Sequence, residues 1–178
     1  MLLTATVVDS AFCSSSTLRL TLELSFNNIG TKPILLRKDG FRVGRYKVSR
    51  NAEEMRAGKY ELNVAPMMNS IGILKYRLEG KPATDDSGLM TLEPGTTHTV
   101  PIELSIPFIE DGKQGSRNSL SPGNHSLEIL VWTWIDSESF ATRWREKWRD
   151  RGYLWTKSVA SEPITFTVAQ EKVISACP

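Results

Sequence analysis

Cysteine, histidine and long apolar runs are all scarce in this sequence. Its 178 residues include two cysteines, too few for a disulfide framework, and two histidines. No run of about 18 apolar residues occurs, so no transmembrane helix is predicted. Residues 1–8 alternate in polarity and lack the cationic start of a signal peptide. We therefore expect a cytoplasmic protein, although a secreted protein whose signal peptide has been removed would look the same.

An excess of either charge is also missing. The 22 basic and 20 acidic residues give a formal charge of +2, which argues against a dedicated nucleic-acid binder. A hydrophobic content of 40% and a charged content of 24% are ordinary for a soluble globular protein. The length is typical of one domain, so we interpret residues 1–178 as a single domain that carries an insertion at residues 136–159.

Patterns that would indicate catalysis or metal binding do not rise above background. We find no paired acid and base, nucleophile or metal-ligand spacing, and therefore predict no enzyme, catalytic residue, metal site or cofactor. His98 and His125 begin consecutive strands, so they should lie at opposite ends of the fold. Cys13 and Cys177 should lie at one end, where oxidising conditions could join them and a reducing cytoplasm would keep them as thiols.

The strongest positive signal is a run of alternating polarity at residues 18–26. The five apolar members are Leu18, Leu20, Leu22, Leu24 and Phe26, and polar residues separate them. A period of two is typical of a β-strand with one buried face, and such a strand needs a sheet beside it and a second layer over it.

Weaker signals of the same kind recur along the chain. They predict further strands within residues 3–8, 34–37, 41–48, 60–64, 71–78, 99–106, 127–135 and 164–168. The serine-rich residues 9–16 indicate a turn, and residues 51–58 indicate one or two helical turns capped by Asn51. Gly44, where the apolar parity changes, indicates a β-bulge.

Short strands with turn residues between them predict an all-β sandwich. Residues 92–95 (Leu-Glu-Pro-Gly), residues 120–123 (Leu-Ser-Pro-Gly) and the closing residues 161–168 resemble the late strands of bacterial immunoglobulin-like and fibronectin type III-like domains. The resemblance implies a two-sheet antiparallel immunoglobulin-like sandwich of about nine strands, with a short helix inserted before the last strand. Turn chemistry and alternation identify a fold and not a function.

Consecutive strands in such a sandwich run in opposite directions, so the loops sort to two ends. One end should hold residues 27–32, 50–59, 80–97 and 136–159. The other should hold residues 9–16, 66–70, 107–123 and the C-terminus.

The insertion at residues 136–159 departs from the alternating pattern. If it formed a strand, the five basic residues between positions 143 and 151 would share one face, which is repulsive. In a helix, Phe140, Trp144 and Trp148 fall on one stripe at spacings of four, and Gly152 ends the helix. We therefore predict a short helix whose tryptophans pack over Leu130, Trp132 and Trp134.

This insertion also carries the function hypotheses. Loops at one end of a rigid sandwich are a usual place for recognition, and Arg and Trp are enriched in binding hot spots. We predict a non-enzymatic binding or protein-interaction module, with a protein partner and neither nucleic acid nor membrane. The alternative is a carbohydrate-binding accessory domain that uses exposed tryptophans and arginines of the insertion as sugar platforms. The candidate binding residues are Arg145, Arg149, Tyr153 and Trp155.

Overall fold

The fold is that of an all-β sandwich, as the sequence predicts. A computed structural model of the chain describes residues 1–14, 17–37, 41–65, 89–107, 120, 122–134 and 138–169. Strands make up 58% of these residues and helices 12%. None of the helices in this part of the chain is long and apolar enough to cross a membrane.

The described residues form eleven strands and two helices, against about nine strands predicted. The strands are β1 (Leu2–Ser14), β2 (Thr17–Asn27), β3 (Ile34–Arg37), β4 (Arg42–Ser49), β5 (Leu62–Val64), β6 (Leu89–Leu92), β7 (Thr97–Pro107), β8 (Gly123–Trp132), β9 (Tyr153–Leu154), β10 (Val159–Ala160) and β11 (Ile164–Val168). The helices are α1 (Ala52–Arg56) and α2 (Glu138–Lys147).

The first sheet has the order β1-β2-β7, with antiparallel pairing throughout. Its centre is β2, where Leu22 lies between Val7 of β1 and Ile102 of β7. The five apolar side chains of the β2 alternation are at most 1% exposed. The prediction that this row faces the core is confirmed.

The second sheet packs its inner face into the same hydrophobic core. Its order is β10-β8-β4-β5, and β11 also pairs with β8. Inward-facing Leu127, Ile129 and Val131 of β8 join the core cluster that contains the β2 row. The register between β4 and β8 shifts between Val43 and Arg45, so the bulge predicted at Gly44 is confirmed.

A third, smaller sheet has the order β6-β3-β9, so the strands divide among three hydrogen-bonded sheets rather than the expected two. In it, β9 pairs in parallel with β3, and Ile34 lies opposite Tyr153. Parallel neighbours require a crossover connection. Here the segment that contains α2 connects β8 of the second sheet to β9, which lies beside β3 in the third sheet.

Of two local predictions, the turn at residues 9–16 is wrong and the helical turns at residues 51–58 are correct. Residues 9–16 were expected as a turn, but β1 continues to Ser14. Phe12 pairs with Leu18 of β2 and is 4% exposed. Pairing with β2 therefore keeps this serine-rich segment in the strand conformation. The helical turns at residues 51–58 are confirmed, and the Asn51 side chain accepts a hydrogen bond from the Glu54 N–H at 2.9 Å.

The predicted sorting of loops to two ends is partly wrong. In the β4–β8 pair, Arg42 lies opposite Trp132 and Ser49 opposite Ser126. Residues 50–59 therefore follow the end of β4 that is remote from the insertion, which follows Trp132. The error arose because β3 was counted as one of the alternating strands, whereas it belongs to the separate third sheet. The strand expected at residues 71–78 and the pairing of Cys13 with Cys177 lie outside what the structure describes.

Candidate functional site: a cationic cleft at the insertion

The helix predicted in the insertion is present as α2. Its first turn carries Glu138 and its last turn carries Arg145 and Lys147, an arrangement that complements the helix dipole. Ala141 and Trp144 are buried on the stripe that faces the protein. The helix thus forms because its apolar stripe has a surface to cover, and its basic residues are left on the outside.

The aromatic side chains of α2, and Trp148 directly after it, form a second core cluster. Trp144 is 6% exposed and Trp148 is 3% exposed, and their rings meet edge to face at a centroid distance of 4.3 Å. Trp134 contacts Trp144 at 5.7 Å. The cluster is completed by three leucines of the third sheet: Leu35, Leu89 and Leu154. The prediction that these tryptophans pack against Trp134 is confirmed, and the rings are not surface platforms.

The rest of the predicted tryptophan packing is wrong. The Trp132 ring lies against the β4 bulge at Gly44. A Cβ atom placed on Gly44 would be only 2.3 Å from Trp132 Nε1, which shows how closely the ring covers the glycine. Leu130 lines a small cleft on the outer face of the second sheet, together with Arg45 and Lys47. Neither side chain belongs to the cluster under α2.

A cleft of about 450 Å³ lies where the end of α2 faces the loop between β2 and β3. Four cationic residues line it: Lys32, Arg145, Arg149 and Arg151. The lining contains one carboxylate, Asp150, and its apolar members are Pro33, Tyr153 and Leu154. Residues about 120 positions apart in sequence therefore build one cationic surface, which we call the cationic cleft.

Close backbone contact seats the insertion against β3. The Tyr153 N–H donates to the Pro33 carbonyl at 2.9 Å, and the Trp155 N–H donates to the Leu35 carbonyl at 3.0 Å. Gly152 has a φ of +149°, and a Cβ atom there would lie 2.6 Å from the Pro33 carbonyl oxygen. A residue without a side chain is thus required at the contact that joins the two sides of the cationic cleft.

Asn28 holds the loop that carries Lys32. Its side chain is buried, and its amide nitrogen donates to the carbonyls of Lys32 at 2.9 Å and Leu92 at 2.8 Å. Its side-chain oxygen accepts from the Gly30 N–H at 3.0 Å. The sequence predicts a loop at residues 27–32 but not this role of Asn28, which depends on a contact with a residue 64 positions away.

Arg145 and Arg149 of the cationic cleft differ in the interactions that their side chains already make within the protein. Arg145 forms a salt bridge with Glu138 and donates to Thr156 Oγ1 at 2.7 Å. Arg149 lies 3.6 Å from the Asp150 carboxylate, and the two side chains are 79% and 91% exposed. An exposed ion pair of this kind contributes little. Arg145 therefore acts as part of the wall, and Arg149 remains available to a ligand.

Three of the four predicted binding residues meet in the cationic cleft: Arg145, Arg149 and Tyr153. Trp155 does not line it. Its ring packs edge to face against Tyr153 at 6.1 Å, and its indole N–H donates to the Lys157 carbonyl at 2.6 Å. Lys32 was missed as a candidate, although its loop was expected at the same end as the insertion.

Comparison of the chain with family models, with curated proteins and with solved structures gives no match. Function is therefore inferred from the geometry of the cationic cleft. Among the described residues, no group of three or more His, Cys, Asp and Glu side chains is placed to hold a metal ion.

Proposed function

We propose that this chain is a non-enzymatic binding module and that the cationic cleft is its recognition surface, with a protein segment rich in carboxylates as partner. The supporting observation is the convergence of four cations from two distant segments on a concave surface that contains one carboxylate. A cleft of about 450 Å³ lies within the range of ligand sites. Such a charge arrangement attracts and orients an anionic partner.

The rigid construction of the cleft supports a binding role. The Asn28 hydrogen bonds fix the Lys32 loop, and the Gly152 contact with Pro33 fixes the opposite side. A preorganised site loses less conformational freedom when a ligand binds. The exposed ends of Lys32 and Arg149 can therefore meet carboxylates without rearrangement of the backbone.

The burial of the helix tryptophans favours this function over carbohydrate recognition. A sugar platform needs solvent-facing rings, whereas Trp144 and Trp148 are 6% and 3% exposed. Both tryptophans belong to the second core cluster, so the basic residues of the insertion are the ones that remain on its surface.

The test uses fluorescein-labelled hexaglutamate as a simple carboxylate-rich peptide, followed by fluorescence anisotropy at low salt. The double variant Lys32→Ala/Arg149→Ala should bind about 5- to 30-fold more weakly than the native chain, since two exposed ion pairs contribute up to about 2 kcal/mol together. The matched control is Arg56→Ala/Lys59→Ala, which removes the same charge from exposed positions on and just after α1.

The control positions are well separated from the cleft. They follow the Ser49 end of β4, about seven residues from the Arg42 end, which corresponds to roughly 23 Å. The control variant should bind within about twofold of the native chain. If both double variants lost hexaglutamate affinity equally, the peptide would be attracted by the net charge of the protein and not by the cleft, which would contradict the proposal. Failure of the native chain to bind hexaglutamate would also overturn the proposal.

A further inference from the structure

Taking the proposed function as given, we infer that the ligand of the cationic cleft is an acidic peptide segment with an aromatic or large aliphatic side chain between its carboxylates. The cations alone do not describe this cleft. Its exposed lining is mainly apolar despite the four basic residues. A ligand that offered charge only would leave this apolar surface in contact with water.

The apolar lining residues adjoin the cationic ones in sequence. Pro33 directly follows Lys32, and Tyr153 and Leu154 follow the turn that carries Arg149. Tyr153 is 44% exposed, although most large hydrophobic residues in the described part of the chain are buried. It therefore presents an exposed aromatic side chain in the same cleft as the four cations.

The shape of the cleft agrees with a ligand larger than one anionic group. A volume of about 450 Å³ accommodates several side chains, not a single carboxylate. Carboxylates near Lys32 and Arg149 would place an intervening side chain over Pro33 and Tyr153. Aromatic pairs add to the gain from apolar burial, so we expect about a tenfold gain in affinity from one such residue.

Arg145 has a positioning role in this arrangement. Its guanidinium is already bonded to Glu138 and Thr156. The aliphatic part of the Arg145 side chain therefore forms part of the apolar wall of the cleft. The carboxylates of the ligand would pair with Lys32 and Arg149. We therefore expect a ligand with carboxylates on both sides of an apolar residue to bind more tightly than a ligand that offers charge alone.

The experiment compares two labelled pentapeptides of equal charge, acetyl-EEWEE-amide and acetyl-EESEE-amide, by fluorescence anisotropy at one salt concentration. The native chain should bind the tryptophan peptide about tenfold more tightly than the serine peptide. In Tyr153→Thr, which keeps a residue suited to a strand, this preference should fall below about threefold. In Lys32→Ala/Arg149→Ala both peptides should weaken by a similar factor, with the preference retained.

The outcomes separate this inference from the proposed function. Equal binding of the two peptides by the native chain would overturn the inference and leave the proposed function standing, and this comparison does not depend on any variant. An unchanged preference in a folded Tyr153→Thr chain would also overturn it, since the apolar contact would lie elsewhere. If neither peptide binds, the proposed function fails. Tighter binding of a single-stranded thymidine pentanucleotide than of either peptide would overturn the choice of a peptide ligand.

Discussion

Replacing Gly152 by alanine should destabilise the insertion more than the same change at another glycine with positive φ. At a φ of +149°, alanine adopts a conformation that costs about 1–3 kcal/mol. The added methyl group would also lie 2.6 Å from the Pro33 carbonyl oxygen and 3.1 Å from the Pro33 Cβ. Overpacking of this kind costs about 1–3 kcal/mol, so we expect a total loss of about 2–6 kcal/mol in the free energy of unfolding.

The matched control is Gly95→Ala. Gly95 has a φ of +76°, but a Cβ atom there would meet nothing within 4 Å, so the backbone cost of about 1–2 kcal/mol acts alone. Urea unfolding followed by tryptophan fluorescence compares the two variants, because buried Trp144 and Trp148 lie beside the affected segment. The Gly152 variant should also lose hexaglutamate affinity. A loss of stability no larger than that of Gly95→Ala would refute the close-contact explanation.

Two further predictions concern the core. Leu22→Ala should lower the free energy of unfolding by about 2–5 kcal/mol, since Leu22 is fully buried at the centre of the first sheet; a loss below about 1 kcal/mol in urea unfolding would mean that β2 is not central. Burial raises the pKa of Tyr46 from 10.0 to about 12, so this residue's contribution is complete below pH 10 and is lost as the pH rises through 12. Between about pH 9 and about pH 11 the native chain should therefore lose about 1.4 kcal/mol more than Tyr46→Phe, and equal losses in urea unfolding at those two pH values would contradict the assignment.

The sequence predicts those elements whose contacts repeat at a fixed spacing. The alternation of residues 18–26 predicts β2 because each inward side chain enters the same core. The four-residue spacing of Phe140, Trp144 and Trp148 predicts α2 for the same reason. Residues 9–14 were missed because their place in β1 depends on pairing with β2, and a serine-rich composition does not reveal a partner strand.

The cationic cleft could be predicted only in part. Arg145, Arg149 and Tyr153 lie in one short segment whose composition is unusual, so they were identified directly. The inclusion of Lys32 depends on the parallel pairing of β3 with β9, which joins residues about 120 positions apart. Local periodicity carries no information about that pairing. The contact between Gly152 and Pro33 that permits it is visible only in the folded chain.

Binding of carboxylates in the cationic cleft can be located residue by residue by chemical-shift mapping. Uniformly ¹⁵N-labelled protein would be titrated with hexaglutamate at low salt and followed by backbone amide spectra. We expect saturable shifts concentrated at Lys32 and residues 149–154, with small changes at residues 50–59. Shifts spread evenly over basic residues, or concentrated at residues 50–59, would contradict it.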